Sequence, residues 1–234
     1  MSSKKLSTEI SSDRELASFL SNTQGLPSRL NSAPKESNRL MFALDATASR
    51  QPSWDRACHI QANMFTASSQ LGGLDVQLCY YRSINEFHFS PWLNGSQALL
   101  DIMNGVYCVG GYTQIEKILN HAIAENTRQT ISALVFIGDA IEEDHRVLGK
   151  KAGQLGLLGV PLFIFQEGSD TNAKSCFQRM ASLSKGAYAA FDETSADQLA
   201  QLLGAVATFA SGGYDALEKL SSAAAKHLLT QLKT

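Results

Sequence analysis

The segment LMFALDATAS, at Leu40–Ser49, decides the fold of this chain. Its first five residues are apolar without a break, as expected of a short strand that is buried on both faces of a parallel sheet. Asp45 follows this run, and the hydroxyl residues Thr47 and Ser49 come directly after it. The segment therefore predicts a buried strand that ends in a turn with several oxygen-bearing side chains.

Outward from this segment, strand-like and helix-like patterns alternate along the chain. Strands are predicted at LMFALD, DVQLCYYRS, EFHFSPW, SALVFIGD, VPLFIFQEG and AYAAFD, with helical spacing between most of them and after Ser195. The alternation predicts a doubly wound α/β fold of Rossmann-like type. We expect a mostly parallel sheet with one short antiparallel edge strand at EFHF and helices on both faces.

The N-terminal residues differ in composition from the rest. Residues 1–38 are rich in Ser, Asn, Lys and Pro, and we predict an arm and linker there, followed by one domain at 39–234 with a C-terminal helical extension. The first twenty residues contain no apolar segment after Lys4 and Lys5, so no secretory signal is predicted. No apolar run is long enough to cross a bilayer, and we expect no membrane association.

Composition narrows the class of protein. Among 234 residues, 44% are hydrophobic and 18% charged, which is typical of a soluble globular domain. The 20 Lys and Arg against 22 Asp and Glu show no basic stripe, so nucleic acid is not an expected partner. No two of the four cysteines form a CxxC pair, and buried free thiols predict a cytoplasmic protein. They are Cys58, Cys79, Cys108 and Cys176. The oligomeric state is left open.

Oxygen-bearing side chains from three distant segments are expected at one edge of the sheet. Asp45 and Asp139 each end a predicted buried strand, and Thr113 begins a predicted helix after the glycine pair of GGYT. In parallel sheets ligands bind beyond the carboxyl ends of the strands. Together with Thr47 and Ser49, these residues offer two carboxylates and three hydroxyls, which suit a hard divalent cation.

These residues resemble the von Willebrand factor type A domain. The metal-ion-dependent adhesion site of that family combines a D-x-S-x-S motif with a distant Thr and a distant Asp. The resemblance covers residues 39–209 and extends to the edge strand and the order of helices. The chain resembles the intracellular, prokaryotic members of that family. It assigns five metal ligands in this chain, namely Asp45, Thr47, Ser49, Thr113 and Asp139.

The resemblance implies a binding module rather than an enzyme. Mg²⁺, or alternatively Mn²⁺ or Ca²⁺, would keep an open coordination position that takes an Asp or Glu side chain of a protein partner. Arg50 and Tyr112 are expected to contact that partner. The chain departs from the family pattern at Thr47, where Ser is usual, at Ala48, where Gly is frequent, and at Arg50, where an apolar residue is common.

A second resemblance points to phosphatases of the haloacid dehalogenase type. DATAS is similar to their nucleophile motif, with Asp45 attacking phosphorus, and GDAIEED is similar to the motif in which Asp139 and Asp144 would hold Mg²⁺. The second Asp of the nucleophile motif is absent. Lys117 is the one candidate for the activating lysine. This enzyme hypothesis is the alternative to the binding module.

The acidic stretch from Glu142 to His145 has two interpretations. It is either an auxiliary metal cluster or an acidic start of a helix, and acidic residues favour the latter because they interact well with a helix N-terminus.

Overall fold

The structure is a computed structural model that describes residues 38–192 and 196–232. Within these ranges the chain forms six strands and eight helices. The strands are β1 (Arg39–Asp45), β2 (Asp75–Arg82), β3 (Glu86–Phe89), β4 (Ala133–Gly138), β5 (Leu162–Glu167) and β6 (Tyr188–Phe191). The helices are α1 (Gln51–Ile60), α2 (Ala62–Ser68), α3 (Ser96–Asn104), α4 (Ile115–Arg128), α5 (His145–Leu157), α6 (Thr171–Leu183), α7 (Ala196–Glu218) and α8 (Ala223–Leu232).

The strands form one sheet in the order β3-β2-β1-β4-β5-β6. All neighbouring pairs are parallel except β2 and β3, which pair antiparallel at one edge. The predicted fold class is therefore confirmed, including the antiparallel edge strand. Pro91 lies just beyond β3, where its missing N–H costs no ladder hydrogen bond.

The apolar run of β1 is continuous because both faces of the sheet are covered. Leu40, Phe42 and Leu44 face one hydrophobic core, which includes α1, α2, α3, α7 and α8. Met41 and Ala43 face the other, which includes α4, α5 and α6. Every residue of β1 is buried, as the sequence of the segment predicted.

The central place of β1 fixes where the polar turn lies. Its neighbours β2 and β4 run parallel to it, so the carboxyl ends of the three strands lie at one edge of the sheet. In this strand order the crossover changes direction between β1 and β4, because β1 is followed in sequence by β2 on one side and later by β4 on the other. Ligand sites of open α/β sheets form at such a point.

The C-terminal helices complete the core on the β1 side. Leu199, Leu203 and Val206 of α7 and Leu228 of α8 belong to the same buried cluster as β1. Helix α7 is kinked at Gly213, which has a non-helical backbone with φ of 70°. The predicted arm and linker at 1–38 lie outside the described residues, apart from Asn38.

Candidate metal centre

Two carboxylates stand at the ends of neighbouring strands. Asp45 is the last residue of β1, and Asp139 directly follows β4. The turn after Asp45 contains Thr47 and then a single 3-10 turn at Ala48–Arg50. Ser49 Oγ donates a hydrogen bond to Asp139 Oδ2 at 3.3 Å, which ties the β1 turn to the end of β4. The structure thus brings together side chains that the sequence placed at one edge.

Asp45 is almost fully buried and is held from two sides. Its Oδ1 accepts a hydrogen bond from the Thr47 amide at 2.7 Å, and its Oδ2 accepts one from the Tyr81 hydroxyl at 3.0 Å. Burial raises the pKa of Asp45; the Thr47 amide opposes this rise, and the nearby Asp139 charge adds to it. A nearby cation would favour the charged form of this carboxylate.

Thr113 is locked to Glu142 by a reciprocal pair of hydrogen bonds. The Thr113 amide donates to Glu142 Oε2 at 2.7 Å, and the Glu142 amide donates to the Thr113 hydroxyl at 3.0 Å. The hydroxyl oxygen keeps a second lone pair for another contact. The Thr113 loop therefore has a fixed position relative to the segment that follows β4.

The remaining acidic residues after β4 cap helices. Glu143 accepts hydrogen bonds from the amides of Ile115 and Glu116, at the first turn of α4. Asp144 is the N-cap of α5 and accepts from the Arg146 amide at 2.7 Å. The helix-start interpretation is confirmed for Asp144. Among the described residues, no three His, Cys, Asp or Glu side chains are grouped to hold a metal, so the auxiliary cluster is not found.

All five predicted ligand residues line one small cavity. Its volume is about 230 Å³, against about 630 and 810 Å³ for two grooves elsewhere on the described surface. Ligand pockets for organic molecules usually measure 300–1,000 Å³, so this cavity suits a smaller group. The lining residues are Asp45, Thr47, Ala48, Ser49, Gly110, Gly111, Thr113, Asp139, Ala140 and Glu142.

The donor set fits a hard divalent cation. Carboxylate and hydroxyl oxygens are the ligands that Mg²⁺, Mn²⁺ and Ca²⁺ accept, whereas sulfur or imidazole donors would favour softer metals. The two carboxylates come from rigid strand ends, and the three hydroxyls come from turns fixed by hydrogen bonds. The residues present therefore fit such an ion.

Comparison with known proteins identifies the fold of this chain. No protein-family model matches the chain, and no curated protein sequence matches it. Solved structures do match. The SpRpn10 VWA domain has a TM-score of 0.56 at 15% identity, over 73% of this chain and 95% of that one. The chain has the von Willebrand factor type A fold.

Two further VWA-fold matches span only part of larger proteins. Proximal thread matrix protein 1 from the mussel byssus, with a zinc-occupied MIDAS motif, has a TM-score of 0.57 at 12% identity. The pilus adhesin SpaC from Lactobacillus rhamnosus GG has a TM-score of 0.57 at 9% identity. Each covers 73% of this chain, which spans 46% and 30% of those chains respectively. These likenesses show the fold, and the prokaryotic type stays a prediction.

One residue next to the cavity lies in an unexpected position. Arg50 was expected beside the open coordination position, in contact with a partner, but its side chain is only 4% exposed. Its guanidinium forms an ion pair with Glu167 at the end of β5, and its Nη1 lies 3.9 Å from Asp139 Oδ2. The expectation of a partner contact is wrong for Arg50 because its charge is compensated inside the protein.

Tyr112, the other expected partner contact, lies at the surface. Its side chain is 61% exposed, next to Thr113 at the cavity. Ile84, between β2 and β3, and Tyr107, in the same loop as Tyr112, are exposed to a greater degree. The loops are joined by hydrogen bonds, among them those from the Gln114 side-chain amide to the Arg82 and Ser83 carbonyls. A role for Tyr112 in partner binding stays a prediction.

Three residues that line or adjoin the cavity were not assigned to the five-ligand site from the sequence. Tyr81 lies in the strand-like run DVQLCYYRS, yet its hydroxyl holds Asp45, and the parallel register that places it opposite Asp45 was not predictable. Glu142 lines the cavity and fixes Thr113. Glu167 ends an apolar run, VPLFIFQEG, in the same way that Asp45 ends its own. That shared pattern was the available signal.

Proposed function

We propose that this chain is a divalent-cation-dependent protein-binding module, in which the five-residue site recognises an Asp or Glu of a partner protein. The observation that carries the proposal is the convergence of two carboxylates and three hydroxyls on one cavity of about 230 Å³. Hydroxyl ligands do not neutralise a cation, so a bound Mg²⁺, Mn²⁺ or Ca²⁺ keeps an attraction for an outside carboxylate.

The residues of the site would have different roles in holding the cation. Asp45 and Asp139 supply negative charge, and the hydroxyls of Thr47, Ser49 and Thr113 supply neutral oxygen ligands. Tyr81 holds the buried carboxylate of Asp45 in place. The cation itself would supply the electrophilic position that a partner carboxylate occupies.

Exposed apolar side chains in the Thr113 loop, and in the turn after β2 that packs against this loop, support a protein as the partner. Ile84, Tyr107 and Tyr112 are more than half exposed, and Val109 is 40% exposed. Aromatic residues are enriched at the centres of protein interfaces. An acidic side chain of the partner would reach the cation while its apolar neighbours cover these side chains.

The phosphatase hypothesis receives less support from the geometry. Lys117, the candidate activating lysine, donates from Nζ to Gln114 Oε1 at 2.7 Å and also contacts Asn85. Asp144, the second magnesium ligand of that hypothesis, caps α5. Among the described residues that line the cavity, neither is present. We therefore propose a non-enzymatic role and expect no hydrolysis of generic phosphate monoesters.

The cellular setting belongs to the proposal. In the part of the chain that the structure describes, no helix combines the length and apolarity needed to span a membrane. A cytoplasmic location, and partners that include neither membranes nor nucleic acid, stay predictions from composition and cysteine usage.

Titration calorimetry with Mn²⁺ and Mg²⁺ tests the metal centre. We expect binding in the wild type, because two carboxylates and three hydroxyls are ligands that such hard cations accept. Asp45→Asn should abolish it, and Asp55→Asn should not, because Asp55 lies on α1 and accepts from Gln51. Absence of binding in the wild type would overturn the metal centre.

Cation-dependent capture tests the binding role. The wild type, Asp45→Asn and Tyr112→Ala would be used as baits with Mg²⁺ and with chelator. A partner retained only by the wild type with Mg²⁺, and less by Tyr112→Ala, is the expected result. Equal retention by the wild type with and without the cation would place the interface on another surface.

A further inference from the structure

A buried cluster of charges adjoins the candidate metal centre. Glu167, at the end of β5, forms ion pairs with Arg50 and with Arg56, the latter at 2.8 Å. Its Oε2 also accepts a hydrogen bond from Ser53. The side chains of Arg50 and Glu167 are 4% and 3% exposed, whereas Arg56 is 22% exposed. The Arg50–Glu167 pair is therefore fixed inside the protein.

Arg50 belongs to this cluster and to the metal centre at once. The same Nη1 that pairs with Glu167 lies 3.9 Å from Oδ2 of Asp139, a proposed metal ligand. Asp139 lines the cavity, but Arg50 is not among its described lining residues. Arg50 thus approaches Asp139 from the protein interior, and its Nε is buried without a hydrogen-bond partner among the described residues. The guanidinium contacts both carboxylates through Nη1.

A fixed positive charge beside a ligand oxygen opposes a cation on the other side of that oxygen. The repulsion acts through a partly buried region, where charges are screened less than in water. A carboxylate that pairs with the guanidinium reduces this repulsion. Glu167 is that carboxylate, so the net effect on the site depends on both members of the pair.

We infer that Arg50 and Glu167 together set the affinity of the metal centre, with Arg50 weakening the binding of a divalent cation and Glu167 restoring it. The inference rests on the proposed metal centre. It assigns a role to Arg50, a residue that departs from the family pattern. An apolar residue at position 50 would place no positive charge beside Asp139, so the full charge of this carboxylate would attract the cation.

The position of Arg50 also explains how the domain can stay folded when no cation compensates its two neighbouring carboxylates. Asp45 and Asp139 repel each other across the cavity, and the charge of Arg50 lessens that cost. The expected consequence is a cation-free domain that stays folded but binds metal less tightly than five oxygen ligands alone would allow.

Titration calorimetry with Mn²⁺ on four proteins tests the inference: wild type, Arg50→Gln, Glu167→Gln and the double variant. Arg50→Gln should bind roughly tenfold more tightly, and Glu167→Gln roughly tenfold more weakly, because the charge facing Asp139 changes in opposite directions. The double variant should return to within about threefold of the wild type, since both charges are then absent.

The opposite signs separate an electrostatic role from a merely structural one. A structural role would weaken Mn²⁺ binding in both single variants. Arg56→Gln is the matched control, because Arg56 contacts Glu167 but has no ion pair with Asp139; its affinity should change less than that of Arg50→Gln. Arg50→Lys keeps the charge and should bind no more tightly than the wild type.

The outcomes distinguish this inference from the metal centre itself. Binding by the wild type with equal affinity in all variants would overturn the role of Arg50 and leave the metal centre intact. Absence of Mn²⁺ binding in every protein, Arg50→Gln included, would overturn both. Urea denaturation with chelator confirms that each variant is folded, and if Arg50→Gln does not fold, a Glu167→Gln affinity equal to the wild type overturns the inference.

Discussion

Asp139 and Glu167 stand at the same edge of the sheet, at the ends of the neighbouring strands β4 and β5, but their surroundings differ. Glu167 is enclosed and meets two arginines and a serine. Asp139 is 29% exposed and meets a serine hydroxyl at the wall of a cavity, with one arginine at 3.9 Å. The first carboxylate is satisfied within the protein, and the second keeps oxygen lone pairs for an external ligand.

The different surroundings of Asp139 and Glu167 show that a carboxylate at the end of a strand is not by itself a functional site. Buried carboxylates need compensating charges, which either the protein or a ligand supplies. At Glu167 the cations come from α1 and the turn before it. At Asp45 and Asp139 most neighbours are hydroxyls and amides, which stabilise a carboxylate without neutralising it. The centre with fewer protein cations is the one suited to a metal.

The largest expected effect comes from breaking the enclosed cluster. Glu167→Gln leaves Arg50 buried without its main partner, and removal of one member of a buried ion pair costs about 3–5 kcal/mol. The free energy of unfolding from urea denaturation with chelator should fall by that amount. A domain of ordinary stability remains folded after such a loss.

The matched control for Glu167→Gln is Glu86→Gln. Glu86 pairs with Arg82 at 2.8 Å, but the Glu86 side chain is 43% exposed, against 3% for Glu167. Surface pairs contribute about 0–1 kcal/mol, so this change should be small. If the two variants lose the same stability, the enclosed carboxylate contributes no more to the free energy of unfolding than the exposed one, and this part of the comparison is wrong.

The next effect concerns the cavity side of the comparison. A cation at about 100 times its dissociation constant should raise the free energy of unfolding by about 2.7 kcal/mol. Asp45→Asn should remove this gain without a large loss in chelator, because the substitution removes a buried charge that has no ion pair among the described residues. Thermal or urea unfolding with and without Mg²⁺ measures both quantities.

A third prediction tests the close approach that forms the cavity wall. Any Cβ at Gly111 would lie 1.9 Å from the Ser83 carbonyl oxygen, so Gly111→Ala must move the Thr113 loop away from the end of β2. Such overpacking costs about 1–3 kcal/mol. The neighbouring Gly110 has open space at its Cβ position, and Gly110→Ala should leave both unfolding and cation binding nearly unchanged. Similar losses in the two variants would contradict the assigned contact.

The sequence predicted the parts of the molecule that depend on local pattern. The unbroken apolar runs of β1 and β4 predicted buried parallel strands, and their carboxyl ends placed Asp45 and Asp139 at one edge. Thr113 followed from its position before a helix. These inferences needed the strand direction alone, which the alternation of elements indicates.

The parts that were missed depend on tertiary neighbours. The burial of Arg50 requires Glu167, which β5 brings to the site from a distant segment. The capping of α4 by Glu143 likewise joins segments that are separate in sequence. A glycine near the end of a helix often takes a left-handed backbone, but after α6 Lys185 takes that conformation with φ of 60°. Gly186 instead packs against the Leu162 carbonyl, where no side chain fits.

The smallest expected effect separates the two roles of Thr113. As a structural residue its hydroxyl accepts from the Glu142 amide, and loss of one such bond costs about 1 kcal/mol. Thr113→Ala should therefore lower the free energy of unfolding by that amount and also weaken Mn²⁺ binding, while Thr113→Ser, which keeps the hydroxyl, should retain most of both. The fold is affected because Thr113 is 8% exposed and hydrogen-bonded on both its amide and its hydroxyl. Urea denaturation with chelator and calorimetry with Mn²⁺ measure the two roles independently. A Thr113→Ala protein that loses stability but binds Mn²⁺ as tightly as Thr113→Ser would remove Thr113 from the ligand set. The metal centre would then depend on the β1 turn and Asp139 alone.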